Sequence, residues 1–114
     1  MSHDAAGRVF AALADPTRRE IVRRLAAEGP LTPSRLAAAL PISRQAVAKH
    51  LASLELARLV AVRRAGREAR YELDTVAFAE AEAWMRTIGA TWNLRLADLK
   101  ALLEDPDVRV GEAG

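Results

Sequence analysis

A change in the spacing of apolar residues constrains the fold of this chain more than any other feature. Up to about residue 56 the apolar residues recur at the spacing of amphipathic helices, as Ile21, Val22 and Leu25 do. From Leu59 to Arg64 and from Ala69 to Asp74 they alternate with polar residues, which is typical of half-buried strands. After residue 75 the helical spacing returns. The sequence therefore predicts a mainly helical chain with one small β-hairpin.

Helix starts are marked by a capping residue, which proline follows in two cases. Asp15-Pro16 and Thr32-Pro33 each place a side-chain acceptor before a residue that has no N–H to satisfy, and Ser43 offers a third cap. The link Ala65-Gly66-Arg67-Glu68 predicts the turn of the hairpin. The predicted helices cover residues 4–13, 16–27, 33–39, 44–56 and 75–103.

Length and composition favour one domain that has neither disulfides nor a membrane span. The 114 residues are 51% hydrophobic and 28% charged, which is ordinary for a globular domain. Cysteine is absent, so no disulfide, thiolate metal ligand or cysteine nucleophile can form. The sequence shows no signal peptide and no run of about 18 apolar residues. We expect a cytoplasmic protein with a single domain over residues 1–104 and a flexible tail over residues 105–114.

Positive charge is concentrated in one part of the chain. The formal net charge is only +2, but the segment from Ser43 to Arg70 holds seven basic and two acidic residues. That segment carries a net charge of +5, so the remaining residues carry a net charge of −3. A local basic surface is expected of a protein that binds the phosphate backbone of nucleic acid. A solvated charged face would produce the same count.

The third and fourth predicted helices, joined by a short turn at Pro41-Ile42, predict a helix-turn-helix. In such a unit the second helix enters the major groove of DNA. Val47, Leu51 and Leu54 mark the side of this helix that faces the core. The residues expected to contact DNA from it are Ser43, Arg44, Gln45, Ala48 and Lys49.

The chemistry of these residues suggests separate roles on DNA. Arg44 and Gln45 lie at the N-terminal end of the helix, where arginine can pair with guanine and glutamine with adenine. Ser43 and Lys49 suit phosphates, and the small side chain of Ala48 permits close approach. The alternative is an ordinary amphipathic surface helix whose polar face meets only water.

The predicted hairpin follows this helix directly and is rich in arginine. Such a wing can reach the neighbouring minor groove or the backbone, where the negative potential favours arginine. The alternative is a solvated β-ribbon that uses arginine for solubility. The wing residues expected to contact DNA are Arg63, Arg64, Arg67 and Arg70.

The last predicted helix carries an apolar stripe that exceeds what a small core can cover. Together with one face of the first helix, the stripe predicts a two-fold interface between two copies of the chain. The alternative is a stripe that packs only within one chain. The residues assigned to the interface are Val9, Phe10, Leu13, Met85, Ile88, Trp92, Leu96, Leu99 and Leu103.

Several segments match a known family when they are taken in order. They are Leu13–Arg19, Leu36-Ala37, Ser43–Leu51, Leu54, Leu59-Val60, and Arg63–Glu68 leading to Tyr71. With these segments the chain resembles the ArsR/SmtB (arsenic-repressor-type) family of bacterial transcription regulators. The resemblance implies a winged helix-turn-helix with five helices and a hairpin between the fourth and fifth. It further implies dimerisation through the first and last helices and a repressor that leaves DNA when an effector binds.

One departure from the family concerns metal ions. Metal-sensing members of the family carry Cys in the third helix or Asp, His and Glu clusters in the last. Here Thr32 and Ser34 occupy the third-helix positions, and the last predicted helix contains no histidine. We therefore expect no metal, no cofactor and no thiol sensing, and the sequence assigns no small-molecule effector.

Three classes of function differ in how well they fit the sequence. The first is a DNA-binding regulator, a repressor that binds a pseudo-palindromic operator in double-stranded DNA as a homodimer. The second is a winged-helix module for protein–protein interaction, whose apolar interface would lack the steep salt dependence of DNA binding. The third is an enzyme, which the sequence disfavours because it has no cysteine, no glycine-rich phosphate loop and no Ser/His/Asp set that we could place together.

Overall fold

The computed structural model describes residues 3–104, apart from the side chains at positions 3, 4, 92, 95, 96 and 104. Within this range five helices and one hairpin follow one another along the chain. The elements are α1 (His3–Leu13), α2 (Pro16–Glu28), α3 (Pro33–Ala39), α4 (Arg44–Leu56), β1 (Val60–Ala65), β2 (Glu68–Leu73) and α5 (Thr75–Glu104). The expected flexible tail lies outside the described residues.

The predicted order of elements is confirmed, and most differences concern single residues at element ends. Helices α3 and α4 have the predicted bounds, whereas both strands are displaced by one residue toward the turn. The displacement arises because Ala65 pairs with Glu68, which leaves a loop of only two residues. Gly66, at the first loop position, has a φ of +62°, as a type II′ hairpin requires.

The predicted caps are confirmed at the starts of α2, α3 and α4. The carboxylate of Asp15 accepts hydrogen bonds from the N–H of Thr17 at 2.8 Å and of Arg18 at 3.1 Å. The bond from the Arg18 N–H is the main reason that the pKa of Asp15 lies below its ordinary value of 3.8. Thr32 Oγ1 accepts from the Arg35 N–H at 3.2 Å. These bonds satisfy N–H groups that have no partner within the helix.

The core is assembled around α2, both helices of the helix-turn-helix and the start of the hairpin. Side chains that are 0% exposed include Ile21 of α2, Leu36 of α3 and Leu51 of α4. The side chain of Leu59, just before β1, is equally buried. The predicted core-facing side of α4 is confirmed. Because this side is buried, only residues on the opposite side of the helix are available to a ligand.

The hairpin is joined to the helix-turn-helix through its second strand. Val60 pairs with Leu73 and Val62 with Tyr71, so the predicted apolar face is confirmed. The Leu31 N–H donates to the Tyr71 carbonyl at 3.0 Å, and the Tyr71 N–H donates to the Leu31 carbonyl at 2.8 Å. This bridge attaches the wing to the segment that enters α3.

The described chain divides into two units, one ending at Ala81 and the other beginning at Glu82. The first unit contains the helix-turn-helix and the wing, and the second contains the remainder of α5. The single domain expected over residues 1–104 stays a prediction. None of the described helices has the length and apolar character needed to cross a membrane.

Helix α4 ends in a Schellman motif that has an arginine where glycine is usual. The Leu59 N–H donates to the Leu54 carbonyl at 2.9 Å, and the Arg58 N–H donates to the Glu55 carbonyl at 3.0 Å. Arg58 itself has a φ of +62°. The left-handed conformation brings a Cβ close to the backbone, so any residue other than glycine is strained there.

Replacing Arg58 with glycine should therefore stabilise the protein. We expect Arg58→Gly to raise the free energy of unfolding by about 0.5–1 kcal/mol, because steric relief exceeds the added entropy of the unfolded chain. Urea denaturation measures this change. The matched control is Ala57→Gly at the preceding residue. The φ of Ala57 is −81°, which gives glycine no advantage, so this variant should be less stable than the parent. A loss of stability in Arg58→Gly would contradict the strain assigned to this position.

Candidate nucleic-acid interface

Helix α4 has one fully buried side and one exposed side. Val47, Leu51 and Leu54 are 0% exposed and pack in the core. The structure leaves all five predicted DNA-contacting residues of this region exposed: Ser43, Arg44, Gln45, Ala48 and Lys49. The helix therefore offers donors to a ligand while its opposite side holds it rigidly in the domain.

The N-terminal end of α4 is electrostatically suited to an anion. Ser43 caps the helix, and its Oγ accepts from the Ala46 N–H at 3.1 Å, which leaves the hydroxyl proton free to be donated. The first turn of α4 contains no acidic residue, so the positive end of the helix dipole is not neutralised there. Arg44, the first residue of the helix, adds a full charge at the same end.

The four wing arginines fall into two groups. Arg63 Nη2 donates to Glu72 Oε1 at 2.8 Å, and Arg70 donates to Glu68 Oε2 through Nε at 3.2 Å and Nη2 at 3.1 Å. Within the described part of the chain, the side chains of Arg64 and Arg67 form no ion pair. The wing thus presents two unpaired arginines and two whose ion pairs with glutamate must break before they bind another anion.

The strand register explains these internal ion pairs. Arg63 lies directly opposite Arg70 in the antiparallel ladder, and like charges so placed repel each other. Glu72 and Glu68 relieve the repulsion. The sequence contains the signal for this arrangement, because the register follows from the turn once a two-residue loop is assigned.

Arg35 is a candidate that sequence reasoning does not single out. It lies on the exposed side of α3 and lines a cleft together with Arg70 and Glu68 of the wing. No spacing rule connects residue 35 with residue 70. The backbone bridge between Leu31 and Tyr71 joins the two segments.

The residues predicted for a dimer interface on α1 divide between core and surface. Val9 is 2% exposed and packs in the core of its own chain, so its side chain is not available to a partner and its assignment is corrected. Phe10 is 37% exposed. Leu13 is half-buried against the core. Phe10 and Leu13 therefore remain the candidates on this helix.

The second unit carries the rest of the predicted interface. Met85, Ile88, Leu99 and Leu103 are between 44% and 51% exposed. The side chains of Trp92 and Leu96 lie outside the described residues. Leu94 and Leu102, which the predicted stripe does not include, are also exposed. This density of exposed apolar residues is high for a helix that has no partner.

The two third-helix positions that the resemblance relates to metal sensing, Thr32 and Ser34, lie at the start of α3. Thr32 caps α3, and Ser34 is exposed on that helix. Within the described residues, no group of three or more His, Cys, Asp or Glu side chains could hold a metal ion. The absence of a metal and of a cofactor stays a prediction.

Comparisons with known proteins show that the chain is similar to regulators of transcription. A family model described as a helix-turn-helix domain matches residues 13–63. The HTH-type transcriptional regulator Rv2034 of Mycobacterium tuberculosis is 53% identical over 63% of this chain and 66%, just under two thirds, of its own length. The transcriptional repressor SdpR of Bacillus subtilis is 34% identical over 68% of this chain and 84% of its own length.

Solved structures agree with these relatives. An ArsR-like transcriptional regulator from Rhodococcus sp. RHA1 has a TM-score of 0.81 and 40% identity, and the match covers 90% of this chain and 96% of that one. The homodimeric winged helix-turn-helix DNA-binding domain Mb0332 from Mycobacterium bovis has a TM-score of 0.62 and 26% identity. That match covers 76% of this chain and 80% of that one.

The fold and its basic surface define a winged helix-turn-helix protein that regulates transcription through DNA binding. The Rhodococcus regulator is 40% identical and 96% of its chain is covered, which shows the family within this class. The chain belongs to the ArsR-like family of transcriptional regulators.

Proposed function

We propose that this chain is a cytoplasmic repressor that binds a pseudo-palindromic operator in double-stranded DNA as a homodimer and has no catalytic reaction. The observation that carries the proposal is the exposed side of α4. It places arginine, glutamine and lysine around a helix end without acidic residues, directly before a wing that carries four arginines. That combination suits the major groove and the adjoining backbone.

Each residue of this surface has a distinct proposed role. Arg44 and Gln45 contact base edges, because they lie at the end of the helix that enters the groove first. Ser43 and Lys49 bind phosphates, and Ala48 allows the duplex to approach closely. In the wing, Arg64 and Arg67 contact DNA first, whereas Arg63 and Arg70 do so after leaving their glutamates.

The homodimer is supported by the apolar surface that a single chain leaves in water. We propose that a second copy covers Phe10 and Leu13 of α1 and the stripe on α5, including Trp92 and Leu96. The Mycobacterium bovis relative is homodimeric. Two copies would present two recognition helices to two half-sites one helical turn apart. Residues 1–104 would then serve as one domain for both DNA binding and dimerisation.

Repression is the proposed direction of regulation, and SdpR, a relative at 34% identity, is a repressor. A dimer bound across a promoter would exclude polymerase without contacting it. The proposal therefore requires binding to the region upstream of the gene or genes under control.

The test of the proposed function is binding of the purified protein to its own upstream region and to a random-sequence duplex, over a series of salt concentrations. We expect tighter binding to the upstream region, two chains per site and a steep loss of affinity as salt rises. Binding without preference, or no binding at any salt concentration, would contradict the proposal, provided that more distant candidate operators gave the same result. The same apolar surfaces would then indicate a protein-interaction module.

The proposed dimer makes a separate prediction at Ile88, which is 51% exposed. An aspartate there would be buried without a partner in the dimer, so Ile88→Asp should yield monomers in sedimentation and lose most operator affinity. The control is Ala90→Asp, an exposed position about 200° around the helix from Ile88. If Ile88→Asp sedimented as a dimer, the stripe would not be the interface.

A further inference from the structure

A polar cleft lies between the start of α3 and the wing. Its volume is about 370 Å³. Two of its walls carry arginines from elements that are distant in sequence. The lining residues are Pro30, Leu31, Thr32, Arg35, Glu68 and Arg70.

The two arginines differ in what they bind within the chain. The side chain of Arg35 makes no hydrogen bond or ion pair in the described part of the protein. Glu28 lines a neighbouring pocket with Arg35, but Glu28 lies 3.5 Å from Arg24 and pairs with that residue. Arg70 is held by Glu68, and both side chains of this pair are more than half exposed. The cleft therefore has one free cation and one that a weak, solvated ion pair occupies.

Backbone hydrogen bonds fix to each other the two segments that carry these cations. Leu31 and Tyr71 exchange both of their backbone hydrogen bonds, at 3.0 Å and 2.8 Å. Arg70 is adjacent to Tyr71 in sequence, and Arg35 lies in the first turn of the helix that Leu31 leads into. The two guanidinium groups thus extend from segments that are fixed to each other.

We propose that this cleft is a phosphate site, in which Arg35 and Arg70 hold a phosphate of the DNA backbone and Glu68 is an internal competitor for Arg70. The proposal rests on the DNA-binding function proposed above. The first helix of a helix-turn-helix crosses the backbone, and the wing reaches the neighbouring groove. In the proposed complex, a DNA strand that runs between those two contacts passes the cleft between α3 and β2.

The chemistry of the cleft matches a phosphate better than a neutral ligand. Guanidinium groups bind phosphate oxygens through two parallel N–H donors, which adds geometric specificity to charge. In the free protein Arg70 directs two donors at one anionic acceptor, since its Nε and Nη2 both donate to the same oxygen of Glu68. In the proposed complex a phosphate oxygen replaces that carboxylate oxygen, and the Glu68 side chain rotates into solvent.

Two substitutions with opposite expected effects test the proposal. Arg35→Ala should weaken binding to the upstream region and to random duplex by the same factor, roughly three- to tenfold per half-site. It should also flatten the plot of log affinity against log salt by about one per half-site. Glu68→Gln frees Arg70 and should tighten binding to both duplexes by about two- to fivefold. Arg35→Lys, which keeps the charge, should retain the slope of the parent.

The experiment separates this proposal from the proposed function. If the parent binds no DNA, the function itself fails. If the parent binds with a steep salt slope and Arg35→Ala matches it in affinity and slope, the phosphate site is overturned and the function stands. Both substituted residues are exposed, so we expect the fold of each variant to be intact. Thermal unfolding of each variant checks this.

A final comparison identifies the source of the phosphate. DNA binding is measured in inorganic phosphate and in chloride at equal ionic strength, for the parent and for Arg35→Ala. Extra competition by phosphate that Arg35→Ala abolishes would support a site that also accepts the free ion. Equal competition in both proteins with unequal salt slopes would support the DNA backbone as the source. Equal competition with equal slopes would overturn the proposal.

Discussion

Leu51→Ala should lower the free energy of unfolding by about 2–5 kcal/mol, the largest effect on stability expected here. Leu51 is 0% exposed and lies in α4, at the centre of a core that α2, α3 and β1 share with it. The substitution removes buried methyl groups and leaves a cavity, and both effects weaken the folded state. Domains of this kind are stable by only about 5–15 kcal/mol, so the change is a large part of the total.

The matched control for Leu51→Ala is the same substitution at Leu56 of the same helix. Leu56 is 80% exposed, so Leu56→Ala should change stability by no more than about 0.5 kcal/mol. Urea denaturation of both variants at one protein concentration measures the difference, because the proposed dimerisation would make stability depend on concentration. Equal losses would show that the core does not lie on the side of α4 described above.

Arg44→Ala should have the largest effect on DNA recognition. We expect a loss of about 1–3 kcal/mol per half-site and a relaxed preference at one base position, because a bidentate contact to guanine carries both affinity and discrimination. Arg44 is exposed at the start of a helix whose first turn has no acidic residue, so truncation should leave the fold unchanged. Binding to operators that differ at single positions measures the change in preference.

Arg67→Ala provides the contrast to Arg44→Ala. Arg67 lies in the two-residue loop of the wing and forms no ion pair within the described chain. Its removal should weaken binding to all sequences alike and flatten the salt slope by about one per half-site. If both variants bound DNA like the parent, the placement of the recognition helix and of the wing would be wrong.

The internal ion pairs of the wing bear on how such variants should be interpreted. Arg63 and Arg70 each pair with a glutamate in the free protein, so truncating either arginine removes an intramolecular contact as well as a DNA contact. Arg64 and Arg67 carry no such complication. Variants of these two residues therefore report DNA binding more directly than variants of the paired ones.

Local features of the fold could be predicted from the sequence because neighbouring residues encode them. The caps at Asp15, Thr32 and Ser43 depend on hydrogen bonds that span two or three residues. The hairpin depends on alternation and on a glycine in its turn. The core-facing side of α4 follows from helical periodicity alone. The residues that take part in these interactions are only a few positions apart, so a short stretch of sequence is enough to predict them.

The arrangement of charge and burial was decided by tertiary packing. Val9 and Phe10 are equally apolar neighbours, but only the packing of α1 against the core buries the first and exposes the second. Arg35 and Arg70 share a cleft because the bridge between Leu31 and Tyr71 joins segments 40 residues apart. Contacts at such separation depend on how whole elements pack, and no local pattern contains them.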